Sequence, residues 1–182
     1  MEDKLNTNKV NNKGKVIVTG ANGFIGSHLT VALLDAGYQV VGTVRKLPLP
    51  PSPSSSFLTL LLTRYPSTFT LVQLSMSKTA EGWSDVMRGA DGVFHVAAPM
   101  NQVGGSLDEM FVPAMECTLE LMRGCVREAQ RRGRGLKVVM TSSDVAVVHS
   151  GMVEGVNLRR FDERDWNSTA DLFHSFVFSL YD

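Results

Sequence analysis

Short apolar, β-branched runs alternate along this chain with longer stretches whose apolar residues recur every three or four positions. The first run, Val16-Ile17-Val18-Thr19, reads as a buried strand. Phe24, Ile25, Leu29, Leu33 and Leu34 then recur at helical spacing, and Gly37 stands where a helix should stop. A second strand is expected over 39–45, a short helix over 57–65 stopped by Pro66, and a third strand over 69–74. A helix over 79–88 carries Trp83, Val86 and Met87 inward, and a fourth strand over 92–98 ends at Pro99. From Leu107 to Arg132, the residues Met110, Phe111, Ala114, Met115, Leu119, Met122, Val126 and Ala129 mark one face of a long amphipathic helix. Pro113 suggests a bend in it, or its true start. A fifth strand is expected over 137–143.

The strands are mostly apolar rather than alternating, and helices separate them. That pattern predicts a doubly wound α/β domain, a parallel sheet covered on both faces. Residues 1–14 read as a disordered leader and 15–182 as the domain. The Pro/Ser-rich stretch from Lys46 through Ser56 reads as a surface loop.

Between the first strand and helix lies Thr19-Gly20-Ala21-Asn22-Gly23-Phe24-Ile25-Gly26. A strand, a glycine turn and a helix in that order form the phosphate-binding start of a nucleotide-binding βαβ unit. One glycine permits the tight turn, one lets the backbone approach a pyrophosphate, and one lets helix pack closely on strand. Unpaired amides and the positive end of the helix dipole then face the anion. The spacing is Gly-x-x-Gly-x-x-Gly.

Composition narrows the class. With 43% hydrophobic and 20% charged residues in 182, the chain is of globular type. A formal net charge of +0 gives no field to recruit nucleic acid or an anionic membrane. Arg131, Arg132 and Arg134 fall near a helix C-terminus, where cations favour the dipole. Cys117 and Cys125 lie on one helix without a Cys-x-x-Cys, and read as buried reduced thiols. The four histidines are scattered, so no metal site is expected. Without an apolar signal segment or a membrane-length apolar run, the expected location is cytoplasmic.

Ligands of such folds collect at the carboxyl ends of the strands. Those ends hold Gly20–Gly26, then Arg45-Lys46, then Ala97-Ala98-Pro99-Met100, then Thr141-Ser142-Ser143. An acid after the second strand would hold the ribose 2′-hydroxyl of NAD, whereas a cation accommodates a 2′-phosphate. Two adjacent cations and no acid therefore favour NADP over NAD. The alternative is that Arg45 and Lys46 are solvated loop residues. Ala97, Ala98 and Pro99 are small enough to leave room for the nicotinamide half, and Thr141 falls with the same cofactor contacts.

These motifs occur in order with Val-Phe-His-Val-Ala-Ala-Pro-Met at 93–100, Pro113-Ala114, Val-Val-Met-Thr-Ser-Ser at 138–143, and Phe-Asp-Glu-Arg-Asp-Trp at 161–166. Together they resemble the dihydroflavonol reductase and cinnamoyl-CoA reductase branch of the extended short-chain dehydrogenase/reductase family. The resemblance implies reduction of a ketone, aldehyde or thioester carbonyl by hydride from NADPH. It assigns the carbonyl-oxygen contact to Ser143, and the proton donor to a Tyr with a Lys four residues later. Tyr181 lies about where that Tyr should fall, but no Lys occurs after Lys137. Gln73-Leu74-Ser75-Met76 stands where relatives usually place an Asp that holds the adenine.

The resemblance thus covers the cofactor-binding N-terminal part, and the chain is expected to be truncated before the substrate part. It is expected to be inactive as it stands. The partner implied is a small-molecule carbonyl compound, with no nucleic acid and no membrane; substrate identity and oligomeric state stay open. A second reading is a non-catalytic dinucleotide-binding protein that senses redox state or binds a partner.

Overall fold

The computed structural model describes residues 13–75, 80–98, 107–143, 146–147, 162 and 164. Nine elements follow in order: β1 (Lys15–Thr19), α1 (Phe24–Asp35), β2 (Gln39–Val44), α2 (Pro53–Arg64), β3 (Phe69–Gln73), α3 (Ala80–Met87), β4 (Gly92–His95), α4 (Leu107–Arg132) and β5 (Lys137–Met140). The five strands form one sheet in the order β3-β2-β1-β4-β5. Every pairing in it is parallel. The order steps outward from β1 in both directions, which puts the crossover next to the glycine turn. The chain forms two compact units, Met1–Pro99 with Ala114–Met140, and Met100–Pro113 with Thr141–Asp182. The sheet belongs to the first.

Side chains of β1 alternate between two cores, as the pleat requires. Val16 and Val18 pack with Leu33, Leu34, Leu58, Leu61 and Phe69 beneath α1 and α2. Ile17 points the other way, to Trp83, Met87, Val93, Leu121 and Cys125 beneath α3 and α4. A doubly covered sheet follows from that split, and explains why the strands read as continuous apolar runs. Cys117 and Cys125 are buried and free, and burial pushes the Cys125 thiol up to about 11. Among the described residues no helix is long and apolar enough to cross a membrane.

Several sequence expectations change. The helix expected over 57–65 begins at Pro53, so part of the Pro/Ser-rich stretch is helical. Ser52 is its N-cap and accepts the Ser55 N–H at 3.1 Å, and Pro53 supplies a preset first turn. The strands β4 and β5 stop at His95 and Met140, each three residues short of the expected end. After His95 the amides of Val96 and Ala97 turn to the Thr19 hydroxyl instead of a neighbouring strand. The long helix keeps its expected span, Leu107–Arg132, and runs through Pro113 without starting there.

The largest change is on α4. Among its described residues Cys117, Leu121, Gly124, Cys125 and Glu128 are buried, whereas Met115, Leu119, Met122 and Val126 are exposed, the last by 56%. The helix carries two apolar stripes, and the narrower one meets the sheet. Its smaller side chains permit close approach, and Glu128 is tolerated there because both its oxygens accept from Arg131 at 2.7 Å. Glu128 also accepts the Gly89 N–H at 2.7 Å, tying α4 to the turn between α3 and β4.

Candidate cofactor site at the carboxyl ends of the strands

The turn after β1 is built on two glycines with different duties. Gly20 has φ +66, in the left-handed region, and a Cβ there would lie 3.0 Å from the Ala97 Cβ. Gly26 is inside α1, and its Cβ would sit 2.2 Å from the Gly20 carbonyl oxygen. No other residue fits that approach. Gly23 is a milder case: it is the N-cap of α1 in extended conformation (φ −78, ψ 168), and a Cβ would lie 3.2 Å from Gly20 O. The special backbone freedom expected of the turn therefore resides at Gly20.

At the start of α1 the first helical bond runs from Ser27 N to Gly23 O at 2.9 Å. The amides of Phe24, Ile25 and Gly26 precede it and have no partner within the helix by its geometry. No side chain caps them, and the first turn carries no acid. The result is an N-terminus open to an anion. Asn22, Gly23, Phe24 and Ile25 are exposed around it. Phe24 and Ile25, expected from spacing on the buried face of α1, are 83% and 55% exposed; Phe24 stands edge-on to His28 at 5.0 Å. Burial of Gly26 against Gly20 turns the two preceding side chains outward.

Ala21 is fully buried, and its N–H donates to Thr43 O at 3.1 Å. That seats the turn on β2. The seat exists because position 42 is a glycine, which lies outside the glycine motif. A lone Gly inside a β-branched strand is the signal that could have found it. Arg45 and Lys46 follow Val44 at the carboxyl end of β2, both exposed, and no ion-pair partner engages them among the described residues. Next to them, the Gln73 side chain accepts the Leu47 N–H at 3.0 Å. Gln73 thus braces the loop that carries the two cations.

Thr19 and His95, the last residues of β1 and β4, were no part of the expected site. Thr19 Oγ1 accepts from Val96 N at 3.0 Å and Ala97 N at 2.9 Å, and lies 3.1 Å from His95 Nδ1. Both residues are buried, and burial pushes the imidazole below its ordinary pKa. Ala97 is half-buried beside Gly20 and Ala98 is exposed. Pro99 and Tyr181 lie outside the described residues. Thr141, Ser142 and Ser143 follow β5 and are exposed, and Ser143 O accepts from Ala146 N at 3.1 Å. An open groove of about 510 Å³ runs from Lys15, Gln39 and Thr68 along β2 and β3 to Val72, beside Asp85 and Val86 of α3, and holds none of the glycine-turn residues.

Known proteins are similar to this chain in sequence and in fold. Dihydroflavonol 4-reductase of Zea mays is 36% identical over 159 residues, which is 85% of this chain and 40% of that protein. The solved vestitone reductase of alfalfa (Medicago sativa) superposes with a TM-score of 0.62 at 27% identity, over 90% of this chain and 46% of that one. Gre2 of Candida albicans, solved with NADPH, gives a TM-score of 0.62 at 27% identity, over 87% of this chain and 45% of that one. The chain therefore spans less than half the length of these relatives. Residues 16–172 match the family described as NAD dependent epimerase/dehydratase. With a parallel doubly wound sheet, a Gly20–Gly26 turn and reductases among its relatives, the chain belongs to the NAD dependent epimerase/dehydratase family, in its extended short-chain dehydrogenase/reductase branch.

Proposed function

We propose that this chain is the NADP(H)-binding part of a reductase that transfers hydride from NADPH to a ketone, aldehyde or thioester carbonyl. The observation that carries the cofactor choice is at the end of β2. Arg45 and Lys46 stand exposed there, with no acid beside them to hold an unphosphorylated ribose. The α1 amides would receive the pyrophosphate, and the two cations the 2′-phosphate. Gly20 and Gly26 let the turn pack closely on Ala97 and on the start of α1, which leaves the α1 amides uncapped for an anion. Ala97, Ala98 and Pro99 would leave room at the nicotinamide side, with Thr141 as a further contact. When bound, NADPH supplies the hydride.

The protein's own part in the chemistry would be to hold the carbonyl and manage its charge. Ser143 would donate a hydrogen bond to the carbonyl oxygen as negative charge develops there. Tyr181 would give the proton, which requires neighbouring cations to bring a phenol of pKa ~10 into range. A turnover assay of the 182-residue chain with NADPH and small carbonyl compounds tests this half of the reading.

Calorimetric titration of the chain with NADPH and with NADH tests the cofactor assignment. Tighter binding of NADPH is expected. Equal affinities, or a preference for NADH, would overturn it.

A further inference from the structure

A chain of hydrogen bonds donated in a single direction crosses the first unit, from the amides beside the glycine turn to α4. Thr19 Oγ1 accepts two backbone N–H groups, from Val96 at 3.0 Å and Ala97 at 2.9 Å. A hydroxyl oxygen has two lone pairs and one hydrogen. With both lone pairs used, Thr19 has only its hydrogen to offer His95 Nδ1, 3.1 Å away. Nδ1 must then be the acceptor and carry no proton. On the far side of the ring, Thr118 Oγ1 gives its own hydrogen to Ala114 O at 2.9 Å. It is left as an acceptor for His95 Nε2 at 3.5 Å.

We propose that His95 is a positioning residue for the dinucleotide site, held as the neutral Nε2–H tautomer so that the Thr19 hydroxyl keeps both lone pairs on the Val96 and Ala97 amides. Those two amides lie past the end of β4, where no strand ladder serves them. If the ring carried a hydrogen on Nδ1, two donors would face each other across 3.1 Å. The Thr19 hydroxyl would have to turn, and one amide would lose its acceptor inside the fold. The consequence reaches the site because the Ala97 Cβ lies 3.0 Å from where a Cβ of Gly20 would stand. Loosening of Ala97 removes the wall against which the left-handed turn is packed. Among the described residues, the groups hydrogen-bonded to the ring are Thr19 from β1 and Thr118 from α4, both uncharged, and burial opposes a charge on it.

The proposal rests on the NADP(H) reading, and its test has an arm that does not. Two-bond ¹⁵N–¹H spectra of the wild-type chain, labelled in histidine, assign the His95 tautomer without any cofactor. A fixed Nε2–H form near neutral pH is expected; an Nδ1–H form, or a mixture of the two, overturns the proposal. In the second arm, NADPH is titrated into Thr19→Val, Thr19→Ser and His95→Asn, each checked by thermal melting. Thr19→Val, isosteric but without the hydroxyl, should weaken NADPH by about tenfold or more. Thr19→Ser, which keeps it, should restore affinity to within about threefold of wild type. His95→Asn, which keeps an acceptor near the Nδ1 position, should fall between them. Unchanged affinity in a folded Thr19→Val overturns the proposal, and if that variant does not fold the tautomer decides. Failure of the wild-type chain to bind NADPH would overturn the cofactor reading alone; the amide shifts of Val96, Ala97 and Gly20 in Thr19→Ser and His95→Asn then replace affinity as the measure.

Discussion

A Cβ added to Gly42 would lie 2.7 Å from the Cβ of Ala21, closer than two carbons approach without something moving. Leu71 and Phe69 would close in on the same atom at 3.1 and 3.3 Å. Gly42→Ala should therefore push the glycine turn off β2. We expect a stability loss of about 1–3 kcal/mol, the usual cost of overpacking, with weakened NADPH binding. Gly135→Ala, where a Cβ meets no heavy atom within 4 Å, is the control and should change neither. Urea denaturation and calorimetric titration of both variants check this.

The three turn glycines should not be equally sensitive. Gly26→Ala should be worst, because its Cβ would meet the Gly20 carbonyl at 2.2 Å. Gly20→Ala comes next, through a left-handed backbone that costs an L-residue about 1–2 kcal/mol and the contact with Ala97. Gly23→Ala should be mildest, since its backbone is ordinary and its contact, 3.2 Å, needs only a small shift. Affinities for NADPH in that order, measured on folded variants, support this division of duties. An equal loss at all three would show that the turn does not distinguish them.

Arg45→Ala should weaken NADPH by about 1.5–3 kcal/mol, the range of a hydrogen bond to a charged group, and leave NADH nearly unchanged. The contrast between the two cofactors is the measurement. Parallel losses would place Arg45 away from the 2′-phosphate.

Neighbouring residues on α4 should behave oppositely. Leu121 is fully buried and Met122 is 42% exposed. Leu121→Ala should cost about 2–5 kcal/mol, whereas Met122→Ala should stay within about 0.5 kcal/mol. Chemical denaturation reads both. A large cost at Met122 would mean that the outer stripe is covered in solution.

Glu128 should give the chain an acid-sensitive step. Hydrogen bonds from Arg131 hold its carboxyl at about 2, well below its ordinary value of 4.5, overcoming the burial that pushes the other way. The folded-state pKa is depressed, so the stabilisation is complete above the unfolded value. It is lost as pH falls from about 4.5 toward about 2. Glu128→Gln should flatten stability against pH across that window, and should lower stability at neutral pH by about 1.5–3 kcal/mol. Thermal melts between pH 2 and 7 compare the two curves.

How much could be read before folding is clearest at particular residues. Lys15–Thr19, the turn at Gly20–Gly26, the stop at Gly37 and the full extent of α4 were all legible, because β-branched runs, glycine and helical spacing act through the local backbone. Gly37 indeed has φ +89, and the Gly37 and Tyr38 amides close the end of α1 on Leu34 O and Leu33 O. The positions of Arg45 and Lys46 were legible for the same reason: a strand end is a local event.

Sequence spacing could not say which stripe of α4 meets the sheet, since both stripes satisfy the same 3.6-residue period. The choice went to the stripe of Leu121 and Cys125 because they pack with Trp83 and Met87, partners supplied by α3 more than thirty residues away along the chain. Thr19 and His95 look equally unremarkable in sequence, 76 positions apart. Only parallel pairing of β1 with β4 ends both strands side by side, and turns an ordinary Thr and a scattered His into one hydrogen-bonded unit beneath the glycine turn. Local chemistry writes the elements; donor, acceptor and volume matches across the sheet exist only once it has formed.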